Sequence, residues 1–212
     1  MEHILRIPCG NGNCYLVSNG ESAILVDTSR KKYCQKILDA CKPFQVRLLV
    51  LTHGHIDHVQ NAAFLAQSLK CPVAIHRADL PLLSDNMKQP LFASSILGKI
   101  VLSASIKSFK TDAIPVFTPT VFLEDGDNLD RYGISAAVVG LPGHTDGSIG
   151  LYVAGRDLIV GDALMNMFCP TVSMLYHNRE VMLQSVAKIE RIGSCTIHFG
   201  HGKPVKNRKW IK

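Results

Sequence analysis

The chain has 212 residues, 47% of them hydrophobic and 19% charged, which excludes an intrinsically disordered polypeptide and supplies a sizeable core without disulfides. Lys and Arg number 23 against 17 Asp and Glu, a formal net charge of +6. That balance admits acidic ligands but is too diffuse to indicate nucleic acid.

The first quarter reads as β structure. Short apolar runs at 4–7, 14–17 and 23–27 are separated by Gly10-Asn11-Gly12-Asn13 and Asn19-Gly20, the pattern of consecutive antiparallel hairpins. Residues 31–41 then show helical spacing, with Cys34, Ile37, Leu38 and Cys41 on one stripe and Pro43 as the stop. The apolar run 46–51, interrupted only by Arg47, predicts a strand covered on both faces. It ends in Thr52-His53-Gly54-His55-Ile56-Asp57-His58. A helix at 61–69 and a strand at 73–76 follow, so hairpins give way to strand–helix–strand units, and sheets packed face to face with helices outside are expected.

Residues 80–110 keep an apolar content but are interrupted by Pro81 and Pro90. Two helices are expected there, as an insertion over one end of the sheets that serves as packing or as a lid. Strands are then predicted at 116–117, 121–123, 134–141, 149–153 and 158–160, with a turn at Asp125-Gly126-Asp127. Residues 179–192 form an amphipathic helix capped by Asn178 and ended by Gly193. A last strand at 196–199 leads to a basic tail, 203–212, expected to be a solvated terminus.

Chemistry concentrates at strand ends. His53, His55, Asp57 and His58 lie within six residues directly after an apolar strand, and imidazole with carboxylate suits Zn, Mn and Fe(II). Gly54 lets that loop curl tightly. Three further segments, Pro142-Gly143-His144, Gly161-Asp162-Ala163 and Gly200-His201-Gly202, each put one ligand-type side chain beside glycine past the end of a strand. Loops at one end of stacked sheets meet in a single cleft. Seven ligands suit two metals: two sets of three, with one carboxylate left to bridge.

This set resembles the metallo-β-lactamase fold superfamily, whose His-x-His-x-Asp-His signature stands here as residues 53–58. Leu25-Val26-Asp27-Thr28 also resembles the family's early strand and turn. The resemblance implies an α/β fold, a four-layer αββα sandwich in one domain over 1–212, with the helical insertion at 80–110. It also implies that His53, His55 and His144 hold a first metal, that Asp57, His58 and His201 hold a second, and that Asp162 bridges them. Asp27 and Thr52 would orient the ligand loop. Asp57 would act as ligand first and proton shuttle second. The implied cofactors are two divalent cations, zinc foremost, with iron or manganese as alternatives.

The implied activity is hydrolysis of a small ester, thioester or lactone by a metal-bridging hydroxide, without membrane attachment. A mononuclear iron oxidoreductase resembling the persulfide dioxygenases is the alternative, and a phosphodiesterase or nuclease a weaker one. Glyoxalase II enzymes carry a C-terminal glutathione-binding region; with only 212 − 201 = 11 residues after His201, none is expected here. The start of the chain lacks a signal-peptide pattern and no CxxC occurs, so a cytoplasmic protein with free thiols is expected. Outside the ligand set, His76 reads as a strand cap, His177 as a surface turn, Tyr176 as a half-buried aromatic and Cys169 as a small core residue. His3 and His198 read as sheet residues.

Overall fold

Strands buried on both faces build the molecule. The computed structural model describes residues 1–211. Three antiparallel strands, β1 (His3–Cys9), β2 (Gly12–Ser18) and β3 (Ser22–Val26), open the chain as the turn residues require. A single 3-10 turn, Lys31–Tyr33, leads into α1 (Cys34–Cys41), and β4 (Gln45–Val50) then returns parallel to β3. The one-turn α2 (Ile56–Val59), α3 (Ala62–Leu69) and the parallel strand β5 (Val73–Ile75) follow.

The segment predicted as two helices is reorganised. Pro81 cannot supply an N–H to an α-helical ladder, and Arg77–Leu83 winds instead as a 3-10 helix, followed by a second short one at Asn86–Lys88. Only the second half forms a long helix, α4 (Ile96–Thr111), capped where Ser95 Oγ accepts the Gly98 N–H. The strand expected at 116–117 does not form; β6 (Val121–Phe122) closes the first sheet in the order β1-β2-β3-β4-β5-β6.

The second sheet takes β7 (Ala136–Gly140), β8 (Ile149–Val153) and β9 (Asp157–Ile159). A two-residue pair, β10 (Leu164–Met165) with β11 (Thr171–Val172), stands apart. Then come α5 (Arg179–Arg191), β12 (Thr196–His198) and β13 (Val205–Lys206). The sheet order is β13-β12-β9-β8-β7. Asn178 Oδ1 caps α5 by accepting from Glu180 N and Val181 N, as the sequence predicts.

Neighbouring residues of β2–β4 point into different cores, which is why these strands lack polar alternation. Leu16, Leu25 and Leu49 face α1 and α3, packing on Ile37 and Leu65. Tyr15, Val17, Ile24, Val26, Leu48 and Val50 face the second sheet, meeting Val138, Ile149, Leu151 and Ile159. A third core puts Val160, Ile197 and Phe199 against Val186 and Ile189 of α5. The layers are therefore helix, sheet, sheet, helix. The tail differs from a solvated terminus: Trp210 and Ile211 pack on this third core, and their backbone N–H groups donate to Glu190 Oε1. Among the described residues no helix is long and apolar enough to cross a membrane. All seven cysteines are free thiols.

Candidate metal centre

The seven side chains singled out by their strand-end positions converge at one edge of the two sheets. After β4 the chain places His53 and His55 in a tight loop and turns once through α2, which carries Asp57 and His58. The second sheet delivers His144 after β7, Asp162 after β9 and His201 after β12. Three overlapping groups lie with their donor atoms within 4.8 Å of one another: His53, His55 and His144; His53, His58 and Asp162; Asp57, His58 and His201. Asp162 lies between the two outer groups. Its Oδ2 is 3.6 Å from His144 Nε2 and 3.3 Å from His201 Nε2, and its Oδ1 is 3.5 Å from His58 Nε2. Asp57 Oδ2 is 3.6 Å from His201 Nε2.

The outward ring nitrogens are anchored. His53 Nδ1 lies 3.1 Å from Thr52 Oγ1, His58 Nδ1 2.8 Å from Asp27 Oδ2, His144 Nδ1 2.9 Å from the Leu175 carbonyl, and His201 Nδ1 2.9 Å from the Asn11 carbonyl. Such partners fix ring orientation and tautomer and raise ligand basicity. The inner atoms are different: His53 Nε2, His55 Nε2, His58 Nε2 and Asp162 Oδ1 are buried with no hydrogen-bond partner. Buried polar atoms are normally satisfied, and leaving one unpaired costs about 1–3 kcal/mol. Four such atoms gathered in one place fit a cation site, and the N,O donor set suits zinc, iron or manganese.

Electrostatics divide the histidines into a neutral pair and a pair that holds protons against the carboxylates until a cation displaces them. Burial, reinforced by the neighbouring histidines, pushes His53 and His55 well below the usual imidazole range, so both sit in the neutral, ligating form. Burial also opposes the charged forms of His58 and His201. Asp27 and Asp162 override it for His58, raising it to about 10, and Asp162 with Asp57 raises His201 to about 9. Asp162 is held well below the carboxylate range because His201 and His58 outweigh the burial penalty. Asp57 is lowered as well, by His58 and His201 against burial.

Asp27 does more than touch His58. It adopts a left-handed backbone, φ +61°, and its carboxylate also accepts from Thr52 N and Thr52 Oγ1. One side chain thus ties the end of β3 to the start of the ligand loop.

Sequence reasoning missed Asp79. Fully buried on the 3-10 segment, it accepts from Gly54 N and Thr145 Oγ1 on Oδ2, and from Gly147 N and Gln89 Nε2 on Oδ1. It therefore braces the His53–His55 loop against the loop that carries His144. Asn86 was missed too; its amide accepts from Ile56 N and donates to the Gly54 carbonyl. The available signal for Asp79 was an acid inside an apolar segment, too common to single out.

A cleft of about 370 Å³ opens onto Asp57 and His201, walled by Ile100, Val101 and Ala104 of α4. Phe109 of α4 stacks on His55, ring centroids 4.9 Å apart. Tyr176 lies outside this cleft, in a depression with Arg179 and Met182. His177 accepts no part in the cluster; its Nδ1 is 2.9 Å from the Pro90 carbonyl. His76 caps the 3-10 helix by accepting the Ala78 N–H. Cys169 is exposed rather than a core residue, because it sits on the turn between β10 and β11. His3 lies in β1 and His198 in β12, as expected of sheet residues.

The architecture is an αββα sandwich whose convergent His and Asp groups could hold metal ions. The family model of the Metallo-beta-lactamase superfamily matches residues 7–201, and the chain belongs to that superfamily. It is 32% identical over 160 residues to the uncharacterised protein ML0493 of Mycobacterium leprae, covering 72% of this chain and 67% of the relative. For other mycobacterial relatives the matched share is 58% of their length. It is 26% identical to a hydroxyacylglutathione hydrolase of Vibrio campbellii, over 91% of this chain and 62% of that protein. Among solved structures, TTHA1623 in a di-iron-bound form aligns with a TM-score of 0.70 at 26% identity, covering 95% of this chain and 94% of that one. The B3 metallo-beta-lactamase BLEG-1 aligns with a TM-score of 0.76 at 20% identity, over 96% and 94%, a likeness of fold.

Proposed function

We propose that the chain is a dinuclear metal-dependent hydrolase that cleaves a small ester, thioester or lactone. The observation that carries this reading is the set of partnerless buried donor atoms, His53 Nε2, His55 Nε2, His58 Nε2 and Asp162 Oδ1, shared between two ligand groups that meet at Asp162. His53, His55 and His144 would hold one cation, Asp57, His58 and His201 the other, with Asp162 between them. When bound, the cations polarise the scissile carbonyl and ionise a water at neutral pH.

The chain's residues do the rest. Thr52, Asp27, Leu175 and Asn11 hold four imidazoles in fixed orientation, so little reorganisation accompanies the reaction. Asp57 and His201 both line the cleft, and Asp57 is the more exposed of the two, its side chain 27% exposed against 9% for His201. Its carboxylate is ionised, so besides holding a cation it would take a proton from the attacking water and return it to the leaving group. The hydroxyacylglutathione hydrolase relative and a 28% identical probable metallo-hydrolase of Bacillus subtilis, YflN, support hydrolysis and put thioesters on the substrate list. The di-iron form of TTHA1623 supports iron beside zinc as the native metal.

Elemental analysis of protein purified without added metal, followed by an ester, thioester, lactone and phosphodiester panel, tests the proposal. Two metals per chain and acyl cleavage are expected. Asp162→Ala and His55→Ala should lose both metal and turnover, whereas His177→Ala should retain its metal. One iron per chain with oxygen uptake would instead select the oxidoreductase alternative, and metal without cleavage of any panel member would remove the hydrolase reading.

A further inference from the structure

Helix α4 is unusually poorly covered for a helix of 16 residues. Gly98 is its one buried residue. The row toward the body is functional in character: Val101 and Ser105 wall the metal cleft, Phe109 stacks on His55, and Ser108 bonds Arg30. The neighbouring row, Ile96, Ile100 and Ala104, recurs every four residues and so forms one stripe between the cleft and the outer face. Ile96 is 81% and Ile100 63% exposed. Isolated apolar residues on a surface need no explanation, but a contiguous stripe does.

Two depressions meet on this stripe. A shallow groove of about 550 Å³ runs along the outer face between Ile96, Ile100 and Ala104 on one side and Lys99, Ser103 and Lys107 on the other. The cleft that opens onto Asp57 and His201 is walled by Ile100 and Ala104 as well. The same two side chains therefore line both, and an apolar track leads from the metal ligands outward over α4. From Ala104 to Ile96 it extends along eight residues, roughly 12 Å at the helical rise.

We infer that this track seats the aliphatic arm of an acyl substrate, a long unbranched chain whose scissile carbonyl lies at Asp57 and His201. The inference rests on the hydrolase reading for the position of the carbonyl. It adds the substrate's class: an amphiphilic ester, thioester or lactone with a medium to long acyl group. Continuity with the cleft favours this occupant over a second copy of the chain or a membrane surface. Either of those would cover Ile96 but would leave the apolar wall inside the metal cleft without a purpose. Lys99 and Lys107 border the groove, so an anionic end group on the arm would be favoured there.

The test uses the full metal-loaded chain and two readouts. In the first, fluorescence titration compares dansyl-undecanoate with dansylglycine on the wild type and on the Ile96→Ser/Ile100→Ser variant. Tighter binding of the long probe, by roughly tenfold or more, and loss of that preference in the variant are expected. Both positions are exposed, so an unchanged thermal midpoint checks the fold. In the second, KM is measured for p-nitrophenyl acetate, octanoate and decanoate. KM should fall with chain length in the wild type, and the long-to-short ratio should collapse in the variant. If no ester is cleaved yet the long probe still binds preferentially, the hydrolase reading fails and the track stands. If esters are cleaved with no dependence on chain length and both probes bind alike, the track is overturned and the hydrolase stands. A dimer in sedimentation that the variant abolishes, or vesicle binding (phosphatidylcholine with phosphatidylglycerol) that it abolishes, would overturn the track in favour of those partners.

Discussion

Replacing Asp79 by Asn removes one acceptor from a position where four donors converge. Gly54 N and Thr145 Oγ1 share one carboxylate oxygen, Gly147 N and Gln89 Nε2 the other. The Asn oxygen can serve one pair. Its amino group must then face a backbone N–H, that of Gly54 or Gly147, which has nowhere to turn. A buried donor left unpaired costs about 1–3 kcal/mol, and exchanging charge-assisted for neutral hydrogen bonds costs about 1 kcal/mol more. Relief of the buried charge, which burial already penalises by raising the Asp79 pKa, offsets part of this. A net loss of about 2–3 kcal/mol is expected. For a chain of this length that lowers the thermal midpoint by about 4–12 °C. Asp79→Ala strips all four donors of their acceptor and should cost more. Calorimetry on metal-free protein reads the stability, and competition with a chelator reads metal affinity, which should drop about 10- to 100-fold as the two ligand loops lose their common brace. An Asp79→Asn midpoint within about 1 °C of wild type with unchanged metal affinity would refute the bracing role, since surface-like substitutions stay within about 0.5 kcal/mol.

At Asp27, Asn tolerates the left-handed backbone but withdraws the charge from His58, so Asp27→Asn should fold and bind the second metal equivalent about 10- to 100-fold more weakly, read by isothermal titration. Gly200→Ala places a methyl 2.2 Å from Asp162 Oδ1 and 2.9 Å from His58 Cε1; metal content should fall below half of wild type by elemental analysis, because the displaced carboxylate is the one between the two ligand groups. Burial holds His198 below the usual imidazole pKa, against its bond to Asp157. The unfolded chain therefore takes up a proton near pH 6.5 that the folded chain refuses, and native stability falls on acidification by at most about 1.4 kcal/mol per pH unit from this group; His198→Gln should flatten that slope between pH 6.5 and 5 in urea titrations. Each ligand group draws on both sheets, so stripping the metals with EDTA should lower the thermal midpoint, by about 8–16 °C if the free cation stood at a thousand times its dissociation constant.

What the sequence made legible was local. The His53–His58 run, Asn178 before α5 and the continuous apolar strands each declare themselves within a few residues, because a strand buried on both faces and a helix cap are defined by near neighbours. The ligands on the second sheet were legible for a related reason: His144, Asp162 and His201 each stand beside glycine after an apolar run. Short strands escaped. β10, β11 and β13 have two residues each, a single period with no repeat to recognise, and their pairing is fixed by partners rather than by pattern. The 3-10 winding at Arg77–Leu83 escaped because its apolar spacing resembles that of an α-helix until Pro81 removes the hydrogen bond.

The polar braces were illegible for a deeper reason. Asp79 reaches Gly147 across 68 positions and Asp27 reaches His58 across 31, and three of the groups they secure, Gly54 N, Gly147 N and Thr52 N, are backbone N–H groups that every non-proline residue possesses. Nothing in a linear reading marks one N–H as needing a carboxylate. Asn61 makes the same point: its side-chain amide donates to the carbonyls of Thr28 and Arg30 and so holds the turn after Asp27, while in sequence it is only the first residue of a predicted helix. The convergent His and Asp side chains can therefore be picked out from motif spacing, whereas the groups that hold them together emerge only once the two sheets are packed. It follows that a chain retaining all seven ligand residues but lacking Asp27, Asn61 and Asp79 would look complete in sequence and would still lack the backbone anchors that aim His53, His58 and His144 at a common centre.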